Sequence, residues 1–312
     1  MDLKAFLNIL TEIIYILCGL VSISVAIRGL KNEKARIGTF LFWFILGVIF
    51  ILGKAIPYAV TGGLLVILAL ITVTKQLQVG TFKEITHEFK VAQSEKFKNK
   101  IFLPAALIGI SAFLILQFKI GKVAIPSAVG IGGGALIALL VATAIIKPKF
   151  SETSEDTSRL LMQIGATALL PQLLAALGAV FTKAGVGKVI AQSISSVVPS
   201  GNIFIGIVIY AVGMALFTMI MGNAFAAFSV ITVGIGVPFI LKHGGNPAAI
   251  GALGMTAGYC GTLMTPMAAN FNIVPASILE IKDKNGIIKT QLPMGITMLI
   301  IHIIFMLLLF KA

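Results

Sequence analysis

The stretch Met221–Leu241, MGNAFAAFSVITVGIGVPFIL, has the hydrophobicity of a membrane span but contains residues that interrupt a helix. Glycine and proline weaken a helix, and polar side chains find no partner in lipid. The residues concerned are Gly222, Asn223, Ser229, Thr232, Gly234, Gly236 and Pro238. Such backbone is tolerated at membrane depth only where protein buries it or where it lines a watery cavity. The stretch therefore predicts a broken helix inside a membrane protein.

A second stretch of the same character lies at 251–278. It alternates glycines with polar residues and prolines, namely Thr256, Thr262, Thr265, Pro266, Asn270, Asn272 and Pro275. Two broken polar segments that face each other are what a secondary transporter uses to hold its substrate and coupling ion. We therefore expect a solute carrier, or the substrate-binding half of one.

The composition of the 312-residue chain excludes a water-soluble globule, because 58% of its residues are hydrophobic and only 11% are charged. It predicts an all-α polytopic membrane protein with about ten hydrophobic segments, since one span needs about 20 residues. Residues 1–150 are expected to form a five-helix membrane bundle, and residues 151–312 a transport-like repeat with re-entrant or broken helices. The five predicted spans of the bundle lie at 5–27, 37–53, 57–73, 101–118 and 123–146.

Two segments of the second half each allow two interpretations. Pro171 lies at the middle of the apolar segment 160–181, which is either a span kinked at the proline or a re-entrant hairpin with its tip near Pro171. The segment 251–280 is too long for one straight crossing. It is either a span with an interfacial tail or a pair of shorter arms that meet near Thr265 and Pro266.

The basic residues predict the orientation in the membrane. The net charge is +13, but the basic residues lie in loops between spans, so we expect contact with a lipid bilayer and no nucleic acid. Thirteen of them lie in the loops 28–36, 75–100 and 147–159, against four at Lys4, Lys54, Lys119 and Lys122. By the positive-inside rule these three loops face the cytoplasm and the N-terminus lies outside a cell (inner) membrane. Helical spacing further predicts an amphipathic surface helix with an apolar face formed by Phe82, Ile85, Phe89 and Ala92.

The sequence gives no indication of an enzyme. It contains neither an H-E-x-x-H nor a G-x-S-x-G motif, and its histidines, His87, His243 and His302, are widely scattered. The two cysteines lie in apolar runs, so we expect neither a disulfide nor a metal cluster. We therefore expect no catalytic residues and no cofactor other than a coupling ion.

The predicted site combines the polar residues of the broken segments. The candidate substrate-binding residues are Gln172, Gly222, Asn223, Ser229, Thr232, Thr262, Thr265 and Asn270. Half-helix N-termini at the breaks hold small anions, and hydroxyl, amide and carbonyl oxygens hold sodium, with Asn223, Thr265 and Asn272 as its candidate contacts. Sodium is the preferred coupling ion because a proton carrier usually keeps an ionisable relay in the membrane. In the second half the apolar runs contain no carboxylate apart from Glu280 and no imidazole other than His302.

Two ionisable residues have alternative interpretations. Glu12 is either a functional intramembrane carboxylate or a solvated interfacial one. His302 either hydrogen-bonds a neighbouring helix or relays protons. The threonines Thr262 and Thr265 either bind solute or bond back to carbonyls of their own helix.

Three stretches of the second half resemble the C-terminal repeat of the ion transporter superfamily, which includes gluconate-type permeases and citrate carriers. LPQLLAALGAVFTKAGVG at 170–187 is similar to the re-entrant hairpin of gluconate-type permeases. MGNAFAAFSVIT at 221–232 resembles the motif where their unwound helix meets substrate, and CGTLMTPMAANFNIV at 260–274 resembles a later conserved segment. The resemblance implies a permease fold and a small organic anion as solute.

More narrowly, the chain resembles an uncharacterised bacterial membrane-permease family that is encoded beside a smaller membrane partner. The association of such gene pairs with pyroglutamate metabolism implies 5-oxoproline as the solute. Carriers of the superfamily have two inverted repeats, yet residues 1–150 show no second copy of the polar broken motif. We therefore expect a second membrane protein subunit, or a homodimer, to complete the site. The alternative is a non-transporting structural subunit of a larger membrane complex.

Overall fold

The computed structural model describes residues 3–82, 86–120, 123–195, 202–268, 270–279, 281–283 and 285–310, and these are almost entirely helical. Within these ranges, six helical segments are long and apolar enough to cross a membrane: Leu3–Gly29, Glu88–Gln117, Ser127–Ile146, Ile203–Met221, Ala224–His243 and Gly286–Leu308. Arg36–Leu52 and Tyr58–Val73 are shorter apolar helices. The chain is thus an all-α, membrane-embedded protein, as predicted, whereas a total of ten segments stays a prediction.

The chain divides into two compact units, Met1–Gly165 and Ala166–Ala312. The first unit contains α1 (Leu3–Gly29), α2 (Arg36–Leu52), α3 (Tyr58–Val73), α4 (His87–Phe97), α5 (Phe102–Gln117), β1 (Lys119–Ile120), β2 (Val123–Ala124), α6 (Ser127–Ile146) and α7 (Phe150–Ile164). A helix therefore lies over each of the five apolar segments predicted before residue 150. The first unit extends past residue 150 because α7 packs against α1.

Small residues bring the helices of the first unit into close contact. A methyl group added at Gly47 of α2 would lie 3.0 Å from the carbonyl oxygen of Gly19 in α1. One added at Gly134 of α6 would lie 2.7 Å from the carbonyl oxygen of Ile108 in α5. Membrane helices gain little from the hydrophobic effect between themselves, so such close backbone packing is what holds them together.

The loops predicted to be cytoplasmic lie together at one end of the first unit. Arg28 Nη2 lies 3.1 Å from Glu155 Oε1, and the Arg28 guanidinium lies 5.4 Å from the centre of the Phe82 ring. Asn32 Nδ2 donates to the carbonyl oxygen of Gln78 over 3.1 Å. These contacts join 28–36, 75–82 and α7, as loops on one side of a membrane require. That this side is the cytoplasmic one stays a prediction.

The carboxylate of Glu12 has a cationic partner. Its Oε1 lies 2.9 Å from Lys54 Nζ, and both side chains are partly exposed. An ion pair at the accessible end of a span is the arrangement of an interfacial carboxylate. The geometry therefore favours the interfacial interpretation of Glu12.

The predicted amphipathic surface helix begins later in the chain than the spacing of its apolar residues indicated. α4 begins at His87, and Thr86 Oγ1 accepts a hydrogen bond from the backbone N–H of Phe89. Only Phe89 and Ala92 of the predicted apolar face lie in α4, since Phe82 precedes it and Ile85 lies outside the described residues. Through the 3₁₀ turn at 98–101, α4 leads directly into α5.

The second unit contains α8 (Leu170–Lys183), α9 (Val186–Ser195), α10 (Ile203–Met221), α11 (Ala224–Ile231), α12 (Val237–Phe239), α13 (Pro247–Leu263), α14 (Ile273–Ile278) and α15 (Gly286–Leu308). A π-helical turn at Thr232–Gly236 joins α11 to α12. The core lies where α10, α11, α13 and α15 meet, around Ile207, Tyr210, Met214, Ala257 and Met306. These helices position both predicted breaks.

Pro171 starts a helix and does not kink one. The chain leaves helical geometry at Gly165, passes through a 3₁₀ turn at 165–168, and places Pro171 in the first turn of α8. A proline is favourable there because the first turn leaves its N–H groups unpaired anyway. The next turn of the chain lies at 184–185, where Gly185 has a φ of +74°.

α8 and α9 lie beside the broken helix of α11 and the π turn. Three contacts join 178–187 to 226–230, and their residue numbers increase together along the two segments. They pair Gly178 with Ala226, Thr182 with Ser229, and Gly187 with Val230. The two helices therefore line one side of the first predicted break.

The segment before α15 contains an exposed ion pair. Lys289 Nζ donates to Asp283 Oδ2 over 2.9 Å, and this hydrogen bond lowers the pKa of the Asp283 carboxyl below its usual value.

Candidate functional site

The first predicted break lies between α10 and α11. α10 ends because Gly222 adopts a left-handed backbone with a φ of +67°, which glycine tolerates at no steric cost. Asn223 then caps α11, as its Oδ1 accepts hydrogen bonds from the N–H groups of Phe225 at 2.8 Å and Ala226 at 3.3 Å. The amide oxygen of Asn223 is thus occupied by the cap, while its Nδ2 makes no hydrogen bond among the described residues.

The second break lies between α13 and α14, at 264–272. It is built around Asn272, which is 0% exposed and donates from Nδ2 to the carbonyl oxygens of Thr262 at 2.8 Å and Thr265 at 2.6 Å. Only the amide nitrogen can donate to two carbonyls, so these contacts fix the orientation of the amide. The Asn272 side chain therefore ties the start of α14 to the end of α13 and to the loop.

The two breaks come together in the second unit. Thr265 Oγ1 of the second break donates to the carbonyl oxygen of Met219, in the last turn of α10, over 2.8 Å. The Tyr259 ring of α13 contacts the Phe225 ring at 5.9 Å and the Phe271 ring at 6.3 Å between centroids. The end of α13, the start of α11 and the second break therefore form one junction.

Two oxygen atoms in the junction are buried without a hydrogen-bond partner among the described residues. They are Asn272 Oδ1 and Thr218 Oγ1, and both residues are 0% exposed. Thr218 faces the crossing with α13, because a methyl group added at Gly258 would lie 3.2 Å from its hydroxyl oxygen. A buried unpaired oxygen costs about 1–3 kcal/mol, which a ligand with positive charge or a donor group recovers.

Of the three predicted sodium contacts, only Asn272 has a side-chain oxygen without a hydrogen bond in the part of the chain that the structure describes. Asn223 Oδ1 is occupied by the cap of α11, and Thr265 Oγ1 accepts from the N–H of Met267 at 3.2 Å besides donating to Met219. The prediction that Asn223 and Thr265 contact sodium stays untested by this geometry.

The other predicted substrate-binding residues are spread around the junction. Thr262 is 2% exposed, and its Oγ1 donates to the carbonyl oxygen of Tyr259. Thr232 pairs with the buried Tyr210 hydroxyl at 2.9 Å, and Ser229 Oγ donates to the carbonyl oxygen of Ala226. Asn270 lies in the second break, but its side chain is exposed, and Gln172, in the first turn of α8, is exposed as well.

A groove of about 440 Å³ opens beside the second break. It is lined by Thr256, Tyr259, Cys260, Thr262, Leu263, Phe271, Met298 and His302. Thr262 joins it to the junction, since this residue lines the groove and its carbonyl oxygen accepts from Asn272. A cavity that is mostly apolar and has a few polar groups is typical of a small-molecule site.

Sequence patterns did not identify several of these residues as part of the site. Thr218 precedes the break at Gly222 by one helical turn, so a search one turn upstream of a broken helix identifies it. Tyr259 and Phe271 lie in ordinary apolar runs. Nothing in the sequence distinguishes them from core residues.

Comparison with known proteins gives one family. The model of a family described as a protein of unknown function, DUF979, matches residues 12–310. The chain belongs to the DUF979 family. No curated protein and no solved structure matches this DUF979 chain. The matched residues include most of both compact units, and with them the junction of the two breaks.

Proposed function

We propose that the protein is a secondary active transporter, or the substrate-binding subunit of a two-component one, for a small organic carboxylate such as 5-oxoproline. The observation that carries the proposal is the junction of two broken helices with two buried, unpaired oxygen atoms, Asn272 Oδ1 and Thr218 Oγ1. Discontinuous helices that meet in a membrane bundle are how secondary transporters build their binding sites.

Sodium is the proposed coupling ion. Hard cations prefer oxygen ligands, and Asn272 Oδ1 offers an amide oxygen whose direction is fixed by two hydrogen bonds from the same amide. A bound cation offsets the cost of burying that oxygen and supplies positive charge beside the groove, whose lining residues include no lysine, arginine, aspartate or glutamate. The charge of a carboxylate solute is then balanced without a buried lysine or arginine.

A second membrane chain is proposed to complete the carrier. Residues 1–150 contain no second copy of the polar broken motif of the second half, whereas carriers of the superfamily that the chain resembles have one in each of two repeats. The partner is either a smaller membrane protein or a second copy of this chain. The competing function is that of a structural subunit, which binds no solute in either assembly.

Reconstitution tests the proposal directly. The chain is placed in proteoliposomes alone and together with its smaller membrane partner, and uptake of radiolabelled 5-oxoproline is measured with an inward sodium gradient or an equal potassium gradient. We expect sodium-driven uptake by the complex or by the homodimer. The absence of binding and uptake in every combination supports the structural subunit instead.

The variant Asn223→Ala is expected to abolish uptake while the protein still inserts in the membrane. It removes the Nδ2 donors at the first break and the cap of α11, which is worth about 1 kcal/mol. Asn246→Ala is the matched control, because Asn246 caps α13 with the same pair of bonds, to Ala248 at 2.9 Å and Ala249 at 3.2 Å. Leu64→Ala, in α3, controls for an ordinary apolar helix. Equal losses of uptake from all three variants would count against a role for Asn223 in binding.

A further inference from the structure

The groove beside the second break has one imidazole, and its hydrogen bond fixes the tautomer. His302 is 9% exposed, and its Nδ1 lies 2.6 Å from the carbonyl oxygen of Met298. A carbonyl oxygen only accepts, so Nδ1 carries the proton. In the neutral ring Nε2 is then an acceptor, and it has no partner among the described residues.

Three other polar side chains of the groove are already used. Thr256 Oγ1 donates to the carbonyl oxygen of Ala252, Thr262 Oγ1 to that of Tyr259, and Cys260 Sγ to that of Thr256. The Tyr259 hydroxyl has no hydrogen-bond partner among the described residues, but it can donate as well as accept. In the tautomer fixed by Met298, His302 Nε2 is therefore the group of the groove that can only accept.

The walls of the groove are aromatic and apolar. Tyr259 and Phe271 contribute rings whose centroids are 6.3 Å apart, and Leu263 and Met298 contribute aliphatic surface. Flat rings of this kind pack against a planar solute. A bilayer acyl chain also fits an apolar groove, but it has no donor for the imidazole.

We propose that this groove binds the solute and that His302 Nε2 accepts a hydrogen bond from an N–H group on a small, flat ring compound. The inference deepens the proposed function and rests on it. Thr262 connects the groove to Asn272, so the solute carboxylate lies toward the proposed cation and the ring N–H toward α15. His302 then selects cyclic amides over carboxylates of similar size that lack the donor.

Binding of radiolabelled 5-oxoproline to the purified full-length protein, with its partner, tests this assignment. Unlabelled 5-oxoproline and its N-methyl derivative, which lacks the N–H donor, compete for the site in sodium buffer. We expect the N-methyl compound to compete about tenfold less well, the effect of one lost hydrogen bond. This comparison needs no variant and so does not depend on folding of a mutant.

Two variants then assign the selectivity to His302. His302→Phe is expected to bind both compounds equally, and His302→Gln to recover part of the difference because its amide oxygen accepts. Thr297→Ala, on the exposed side of the same helix, keeps the wild-type difference. The inference is overturned if the wild type does not distinguish the two compounds, as an acyl chain in the groove predicts, or if His302→Phe still does. Either result with intact sodium-driven uptake leaves the proposed function standing, whereas no sodium-driven uptake in any assembly overturns that function itself.

Discussion

Asn272→Asp is expected to destabilise the second unit by about 2–4 kcal/mol. The substitution removes two hydrogen bonds, and each loss leaves a buried carbonyl oxygen without a donor. The substitution keeps the shape of the side chain and changes its chemistry. In the wild type, the Asn272 amide nitrogen lies 2.8 Å from the carbonyl oxygen of Thr262 and 2.6 Å from that of Thr265. An ionised carboxylate repels both, and a protonated carboxyl supplies one donor for two acceptors.

Asn270→Asp is the matched control, because it makes the same change two residues away on an exposed side chain. Its effect is expected to stay within about 0.5 kcal/mol. Equilibrium unfolding in mixed detergent micelles measures both. Equal stability of the two variants would mean that the second break is not held by Asn272.

A further variant tests the cation site. A ligand that binds only the folded protein raises its stability with concentration, so sodium should raise the unfolding midpoint of the wild type and of Asn270→Asp above that in potassium. Asn272→Leu has a similar volume and no side-chain oxygen, so it should lose both the sodium effect and uptake. A sodium effect that persists in Asn272→Leu would place the cation elsewhere.

The positions of the two breaks were accessible from the sequence because local chemistry determines them. Glycine followed by asparagine ends one helix and caps the next, and Gly222 and Asn223 do both. Apolar segments of the right length likewise identify the membrane helices. These properties belong to neighbouring residues, so one sequence is sufficient to predict them.

The contacts between the breaks were not accessible, because they join distant residues. Thr265 and Met219 are 46 positions apart, and Thr218 acquires its burial only through the crossing of α10 and α13. The role of Pro171 also depended on where the preceding helix ends, since a proline kinks a helix interior but starts a helix at its first turn. A polar residue such as Thr232 fits either a binding site or a buried pair with Tyr210, and only the fold distinguishes these.

The glycine face of α13 sets the distance between the breaks, so Gly261→Ala is expected to have the second large effect. A methyl group at Gly261 would overlap the carbonyl oxygen of Ala215 in α10 and lie 2.9 Å from the Ala215 backbone carbons. Backbone atoms inside a helix cannot move alone, so α10 and α13 must separate. Overpacking of this kind costs about 1–3 kcal/mol.

Separation of α10 from α13 also lengthens the bond from Thr265 Oγ1 to Met219, so uptake should fall together with stability. Gly251→Ala makes the same change in the same helix where the nearest atom, in the Phe228 ring, lies 3.9 Å away. It should be neutral, or stabilising by up to about 1 kcal/mol because alanine suits a helix interior better than glycine. Unfolding and uptake of the two variants are measured side by side. If Gly261→Ala behaves like Gly251→Ala, the junction tolerates a wider crossing, and close packing of α13 on α10 is not what brings the two breaks together.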